Sequence, residues 1–401
     1  MKVVAALIVV LGASCGSPYG SPVSSGQPST TTSTSIRTEA SAAPTNSPTA
    51  GGPLAVLYSL VGPDYPAHGS YRLVLVRSDG RTVASATPSQ PSDFLVYPPS
   101  CLAQPRCAGS LLDWIPLISI SRTRVYYLDG DATVRWLRPD GGTGIALKLA
   151  IGPMRRAAFA VTPDDRRIAV SILDYSKPPQ VTVHLTAQDL PNGKAVDLFD
   201  STSSVTEWPI EWHGQNLVLA ISDASTHSIF GDLTNPYGAS TGYHVVDSVT
   251  AARLARLGFS TSQVATADCI AGLLGPAGTG CATRLSVGSQ GWDGDFKGFG
   301  PTPFQAKDAG MRWPVLSPNG QRLAWEMGQY QFDPLTLLEA GKTPTITSIP
   351  GQPMGWLDDH HVLAVRYANQ KGSFIIGDPD TGAIADTGLP PDFRYFGPLG
   401  P

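Results

Sequence analysis

The chain has 401 residues, a net charge of −4 and 15% charged residues. No cluster of lysine or arginine gathers that charge, which argues against a nucleic-acid partner. Forty-two glycines and 36 prolines interrupt short runs of Val, Ile, Leu, Tyr and Trp, and the near absence of three-four periodicity excludes a helical protein in favour of an all-β one.

Lys2 precedes a nine-residue apolar run, 3–11, which is too short to span a bilayer and has the length of an export signal. Gly12-Ala13-Ser14-Cys15 follows. Small residues before a cysteine resemble the lipobox of bacterial lipoproteins, although Gly12 stands where that family usually has Leu and Leu11 lies one place early. The resemblance implies removal of residues 1–14, a lipid on Cys15, and anchoring at the extracytoplasmic face of the cell membrane. Of the 38 residues in 16–53, 27 are Gly, Ser, Pro or Thr, so 15–53 is expected to be a tether too poor in apolar surface to offset the entropy of ordering.

From residue 54 to 401, apolar runs alternate with polar turns in units of about fifty residues, the length of one four-stranded propeller blade. The first unit offers three strands, 54–61, 70–77 and 81–87, and lacks an innermost one. The second has 111–119, 123–129, 132–138 and 144–149, and the third has strands near 157–162, 167–173, 181–190 and 195–199. The fourth starts at 206 and the sixth at 311, while the seventh comprises 353–357, 361–368, 373–378 and 383–387. The stretch 261–300 fits poorly, so the reading is a β-propeller of seven blades, or six if that stretch is not one. Asp392-Phe393-Arg394-Tyr395-Phe396 is placed to supply the first unit's missing inner strand. Such pairing of N- and C-terminal segments closes the ring and leaves no open edge.

Thr162-Pro163-Asp164-Asp165-Arg166-Arg167-Ile168-Ala169 and Ser317-Pro318-Asn319-Gly320-Gln321-Arg322-Leu323-Ala324 read as tight hairpins, because Pro pre-sets the turn and Asn-Gly supplies positive φ. Looser copies surround Trp212-His213-Gly214-Gln215 and Trp356-Leu357-Asp358-Asp359. These segments resemble the Ser-Pro-Asp-Gly-x-x-Leu-Ala repeat of TolB-like (PD40, WD40-like) propellers over four or five units. The resemblance implies the fold. Members act mostly as binding scaffolds, though the repeat also precedes prolyl-oligopeptidase-type catalytic domains. No room remains here for such a domain, and neither Gly-x-Ser-x-Gly, at 12–16 or 238–242, sits at the strand-to-helix turn a nucleophile needs.

Cys101, Cys107, Cys269 and Cys281 form an even set in a chain read as exported. Three pairings exist, and sequence proximity favours Cys101–Cys107 and Cys269–Cys281. Neither spacing comes with the further ligands zinc needs. Asp129-Gly130-Asp131 and Asp293-Gly294-Asp295 alternate carboxylates as calcium loops do, but each lacks more acidic ligands and Asp-Gly is a common hairpin turn. Both are read as turns, and no metal or cofactor is assigned. The histidines, His213 and His360 among them, are read as polar surface residues, and the tryptophans as packing between blades.

Strands a to d of a blade alternate in direction, so a-to-b and c-to-d turns share one rim while b-to-c and d-to-a connections share the other. All the long connections fall on the second rim. They bring Tyr65, Tyr175, Phe230, Tyr237, Tyr330 and Phe332, with Asp174 beside them, and aromatics on long loops of a rigid scaffold favour recognition. The function expected is a membrane-tethered, non-catalytic binding or scaffold module for an envelope protein, peptide or glycan. The alternative is an envelope enzyme of lyase, lactonase or glycosidase type with its site in the central funnel.

Overall fold

Strands form where β-branched and aromatic residues alternate, and they end where turn residues take up the last backbone hydrogen bonds. The computed structural model describes residues 52–60, 69–96, 109–110, 115–223, 242–257, 280–288, 291–298, 304–308, 312–327, 333–368 and 371–400. In chain order the strands are β1 (Leu54–Ser59), β2 (Arg72–Arg77), β3 (Thr82–Ala86), β4 (Leu95–Val96), β5 (Gly109–Ser110), β6 (Ile118–Ile120), β7 (Val125–Asp129), β8 (Thr133–Leu137) and β9 (Thr143–Lys148). Next come β10 (Arg155–Val161), β11 (Arg167–Lys177), β12 (Gln180–Asp189), β13 (Val196–Ser203), β14 (Val205–His213), β15 (Asn216–Asp223), β16 (Gly242–Asp247) and β17 (Arg253–Leu257). The remainder are β18 (Gly280–Gly288), β19 (Gly291–Gly298), β20 (Phe304–Asp308), β21 (Arg312–Leu316), β22 (Arg322–Glu326), β23 (Pro334–Glu339) and β24 (Thr345–Pro350). The last five are β25 (Gln352–Trp356), β26 (Val362–Ala368), β27 (Lys371–Gly377), β28 (Ile384–Asp386) and β29 (Arg394–Leu399).

Among the described residues they form six four-stranded antiparallel sheets, β29-β1-β2-β3, β6-β7-β8-β9, β10-β11-β12-β13, β14-β15-β16-β17, β21-β22-β23-β24 and β25-β26-β27-β28. A three-stranded sheet, β18-β19-β20, and a two-stranded ribbon, β4-β5, complete the set. Inner strands adjoin from sheet to sheet, β29 with β6, β6 with β10, β10 with β14, β21 with β25, and β25 with β29. This is a β-propeller, as the hairpin repeats predict.

Two hairpins agree atom for atom. The Thr162 amide donates to Arg167 O and the Ser317 amide to Arg322 O, while Asp165 N and Gly320 N close the turns onto Thr162 O and Ser317 O. The Thr162 hydroxyl accepts from Arg167 N at 2.9 Å and the Ser317 hydroxyl from Arg322 N at 3.0 Å. The residue that needs positive φ is Gly320 in one turn, at 71°, and Asp165 in the other, at 64°. Aspartate is among the few non-glycine residues that tolerate this conformation.

The closure expected from the sequence is present. β29 pairs antiparallel with β1 from Leu54 opposite Leu399 to Tyr58 opposite Arg394. The Ser59 hydroxyl donates to Asp392 at 2.7 Å, and the Phe396 ring meets Tyr58 edge-on at 6.4 Å. Each side chain of β1 is buried.

Three expectations need correction. Asp174 and Tyr175 lie on no long connection, because β11 and β12 continue to Lys177 and Gln180 and only Pro178 and Pro179 turn the chain. The prolines had the look of a loop, but burial alternates along both strands and holds them in register. Asp293-Gly294-Asp295 lies inside β19, opposite Ser286, Leu285 and Arg284, so it is not a hairpin turn. In the second sheet the inner strand is confined to Ile118–Ile120, and residues 111–114 lie outside the described residues.

Neighbouring sheets are tied by repeated bonds. Trp212 Nε1 donates to Ala160 O and Trp356 Nε1 to Val315 O, each at 3.0 Å, from the same repeat position to the preceding sheet's inner strand. Tyr395 adds the bond at closure, donating from its hydroxyl to Trp356 O at 2.5 Å. Trp212 and Trp356 therefore both pack and bond between sheets, which extends the role expected of the tryptophans.

On the turn rim, Arg322 reaches both Asp380 oxygens at 2.7 and 2.9 Å, Glu339 at 2.7 Å and Asp359 O at 3.0 Å. His360 Nδ1 sits 3.0 Å from Asp380. The Arg322 hydrogen bonds hold the Asp380 carboxyl down at about 2, below its ordinary 3.8. A depressed carboxyl contributes stability that is complete above the unfolded value and is lost as pH falls toward the folded one. Arg322→Ala should therefore flatten the loss of Tm between pH 4 and 2 while lowering Tm at pH 7. An unchanged acid limb in thermal melts of the variant would contradict this.

Candidate functional site

The antiparallel sheets separate two kinds of connection. On the rim of a-to-b and c-to-d turns, connections are short and their polar groups bond to neighbouring sheets. Arg167 Nη1 donates to Ser248 at 3.0 Å, its guanidinium lies 5.0 Å from the Trp212 ring centroid, and Tyr126 donates to Asp165 at 2.8 Å. Asn319 N donates to Asp359 at 3.0 Å. On the opposite rim, residues 224–241 join β15 to β16 and residues 87–117 join β3 to β6.

The second of these connections is fastened to the sheets. Ser89 N donates to Asp129 at 2.8 Å, and Ser92 donates to Asp131 from both its amide and its hydroxyl at 2.8 Å. Asp129 also accepts from Arg135 Nε at 2.6 Å. The Asp129-Gly130-Asp131 turn thus pins a loop with its carboxylates. Phe94 then meets Tyr175 edge-on at 5.6 Å.

Of the residues expected on this rim, Asp174 and Tyr175 are described. Asp174 accepts from Ser176 N and from Arg155 Nε at 2.9 and 2.8 Å, and the hydrogen bonds of Ser176, with those of Arg155, hold its carboxyl below the ordinary value. Tyr175 is 6% exposed, packed in the seam between the third sheet's β10-β11-β12 and β14-β15-β16 of the next. Its placement as a loop-tip aromatic is corrected. Burial raises its phenol, and Thr206 is the hydrogen-bond partner. Tyr65, Phe230, Tyr237, Tyr330 and Phe332 lie outside the described residues, as do Cys15, Cys101, Cys107 and Cys269. Cys281 is in β18, its backbone opposite Lys297.

Sequence reasoning missed three groups on inner strands. Burial pushes Glu211 up to about 7, opposed by His213, whose Nε2 is 3.1 Å away. Glu207, more fully buried than Glu211, holds Arg253 at 2.6 Å and His244 at 3.2 Å. Arg156 is 1% exposed. Strand alternation was the one available signal, since Arg155 and Arg156 are adjacent on β10 and must point to opposite faces. Among the described residues, no three His, Cys, Asp or Glu side chains converge as a metal site.

The sequence matches no protein-family model and no curated protein. Solved structures match the fold. The β-propeller domain of the Trilobed protease from Pyrococcus furiosus is 13% identical, with 68% of this chain and 84% of that chain covered at a TM-score of 0.41. TolB from Acinetobacter baumannii is 12% identical over 87% of this chain and 66% of that one, TM-score 0.36. Oligogalacturonate lyase from Vibrio parahaemolyticus is 9% identical over 83% and 100%, TM-score 0.42.

Proposed function

We propose that this chain is a non-catalytic binding module, a seven-bladed propeller that presents its long connections to a protein, peptide or glycan partner at the cell envelope. The three-stranded sheet β18-β19-β20 is taken as the fifth blade, since β19 adjoins β21 of the sixth. One observation carries the reading. Charged and polar groups of the turn rim are engaged between sheets, while the long connections 87–117 and 224–241 join strands at the other rim. Length and aromatic content in such connections favour recognition. Inner-strand carboxylates also favour binding over the lyase, lactonase or glycosidase alternative. Among the described inner strands they come from β14 alone, as Glu207 and Glu211, whereas funnel chemistry calls for acids or histidines from several strands. The lipid on Cys15 would hold the module at the extracytoplasmic face of the membrane.

Fractionation and in-cell cross-linking test both parts of the proposal. Cys15→Ser should move the protein from the membrane to the soluble fraction. Tyr237→Ala with Tyr330→Ala should remove the cross-linked neighbour at unchanged Tm, at about 2 kcal/mol per contacting aromatic. A membrane-bound Cys15→Ser chain overturns the anchor. A double variant that keeps its neighbour overturns the rim.

A further inference from the structure

At the start of β10 lies a buried charge with nothing bonded to it, close enough to Asp93 and Asp131 to feel their charge. Arg156 projects from β10 with 1% exposure, and none of its Nε, Nη1 and Nη2 atoms has a hydrogen-bond partner. Burial lowers the guanidinium from 12.5 to about 10, so it stays cationic at neutral pH. A buried guanidinium with no hydrogen bond is among the costliest groups a fold can carry, and such a group calls for an acceptor, from the protein or from a ligand.

The register fixes the face of β10 from which it projects. Arg156 lies opposite Leu173, and Ala158, on the same side of β10, lies opposite Ser171. Ala158 and Leu173 pack against Trp208 and Tyr175 in the seam between the third sheet and the next, so Arg156 and Ser171 share the face of that seam. The Ser171 hydroxyl and Trp208 Nε1 are likewise buried without partners. Every one of these unsatisfied groups is able to donate a hydrogen bond. Among the described residues, those that act electrostatically on Arg156 are Tyr71, Asp131, Asp93 and Tyr175. The Asp131 oxygens already accept from Ser92, the Tyr71 hydroxyl donates to Leu128 O at 2.5 Å, and Tyr175 is bonded to Thr206.

We propose that this seam is a binding site for a small carboxylate, seated on the Arg156 guanidinium, with Ser171 and Trp208 as further donors to the same molecule. The planar guanidinium fork matches a carboxylate in bidentate fashion. A monoanion fits better than a phosphate dianion, because Asp93 and Asp131 already place negative charge nearby and a second charge on the ligand would add to the repulsion. The site does not depend on the partner-binding rim, and either can fail alone.

Thermal melts of the whole protein decide the matter, with acetate, succinate and benzoate as probes against chloride and inorganic phosphate at matched ionic strength. At ten times Kd, a carboxylate should raise Tm by about 2 °C in a saturable way, with no such rise in chloride or phosphate. Arg156→Met should remove the rise and melt in chloride at or above the wild-type temperature, because it deletes a buried charge that makes no hydrogen bond. Ser171→Ala should weaken the carboxylate several-fold. If Arg156→Met does not fold, Arg156→Lys substitutes for it, keeping the charge and losing the fork, with at least tenfold weaker binding expected. Absence of a carboxylate-specific rise in the wild type overturns the proposal, as does a rise that survives in whichever Arg156 variant folds. A folded Arg156→Met protein that melts far below wild type in chloride overturns it too, since the guanidinium would then be bonded within the protein.

Discussion

Deletion of residues 392–401 is expected to leave the protein aggregated or unfolded at temperatures where the full chain is native. The segment contributes β29, and with it the buried side chains Phe393, Tyr395, Phe396 and Leu399. Each such side chain is worth about 1.5–3 kcal/mol of burial, so the four together approach the whole stability of an ordinary domain, roughly 5–15 kcal/mol. The deletion also strips β1 of a partner along its length and exposes an apolar strand edge, a template for pairing with other copies. Size-exclusion chromatography and thermal melting report both effects. A truncated chain that remains monomeric and melts like wild type would rule out β29 as the structural inner strand.

Tyr175→Ala should lower stability by about 3–5 kcal/mol, the range found when a buried aromatic side chain is truncated. The ring fills a seam shared by two sheets and a loop, touching Phe94 at 5.6 Å, and neither sheet can collapse into the gap without the other. Tyr175→Phe keeps the ring and loses only the bond with Thr206, so about 1 kcal/mol is expected. Urea denaturation of both variants measures the difference. An alanine variant within 1 kcal/mol of wild type would restore Tyr175 to the exposed rim where its sequence context places it.

What the sequence made legible follows from the range of the interactions concerned. The Thr162 and Ser317 turns are local, built from residues within five positions, and their chemistry can be read directly. The β29-to-β1 closure was legible for another reason, because a missing strand and a surplus strand of the same kind can be counted. Tyr175 was misread since its burial comes from Phe94 and Trp208, residues far off in the chain that no local pattern links to it. Asp165 was read as a simple turn residue, yet it accepts from Thr123 and Tyr126 of the preceding sheet. Arg156 was silent for the same reason. Beside Arg155 it has the look of a solvated basic pair, and only its face of β10, turned toward the neighbouring sheet, makes one of the two a buried cation.

The bond from Ser59 to Asp392 spans 333 positions of sequence, and this bears on the birth of the molecule. At the usual pace of translation, about 5–20 residues per second, β1 waits on the order of 15–70 seconds for the strand that will cover it. Throughout that interval the nascent chain carries an apolar edge with no cognate partner, and the ring cannot snap shut one blade at a time. Contacts this distant also slow the final step, since the loop must be closed before any pairing rewards it. Anything that covers the β1 edge until residues 394–399 are free to pair with it would protect the chain from aggregation.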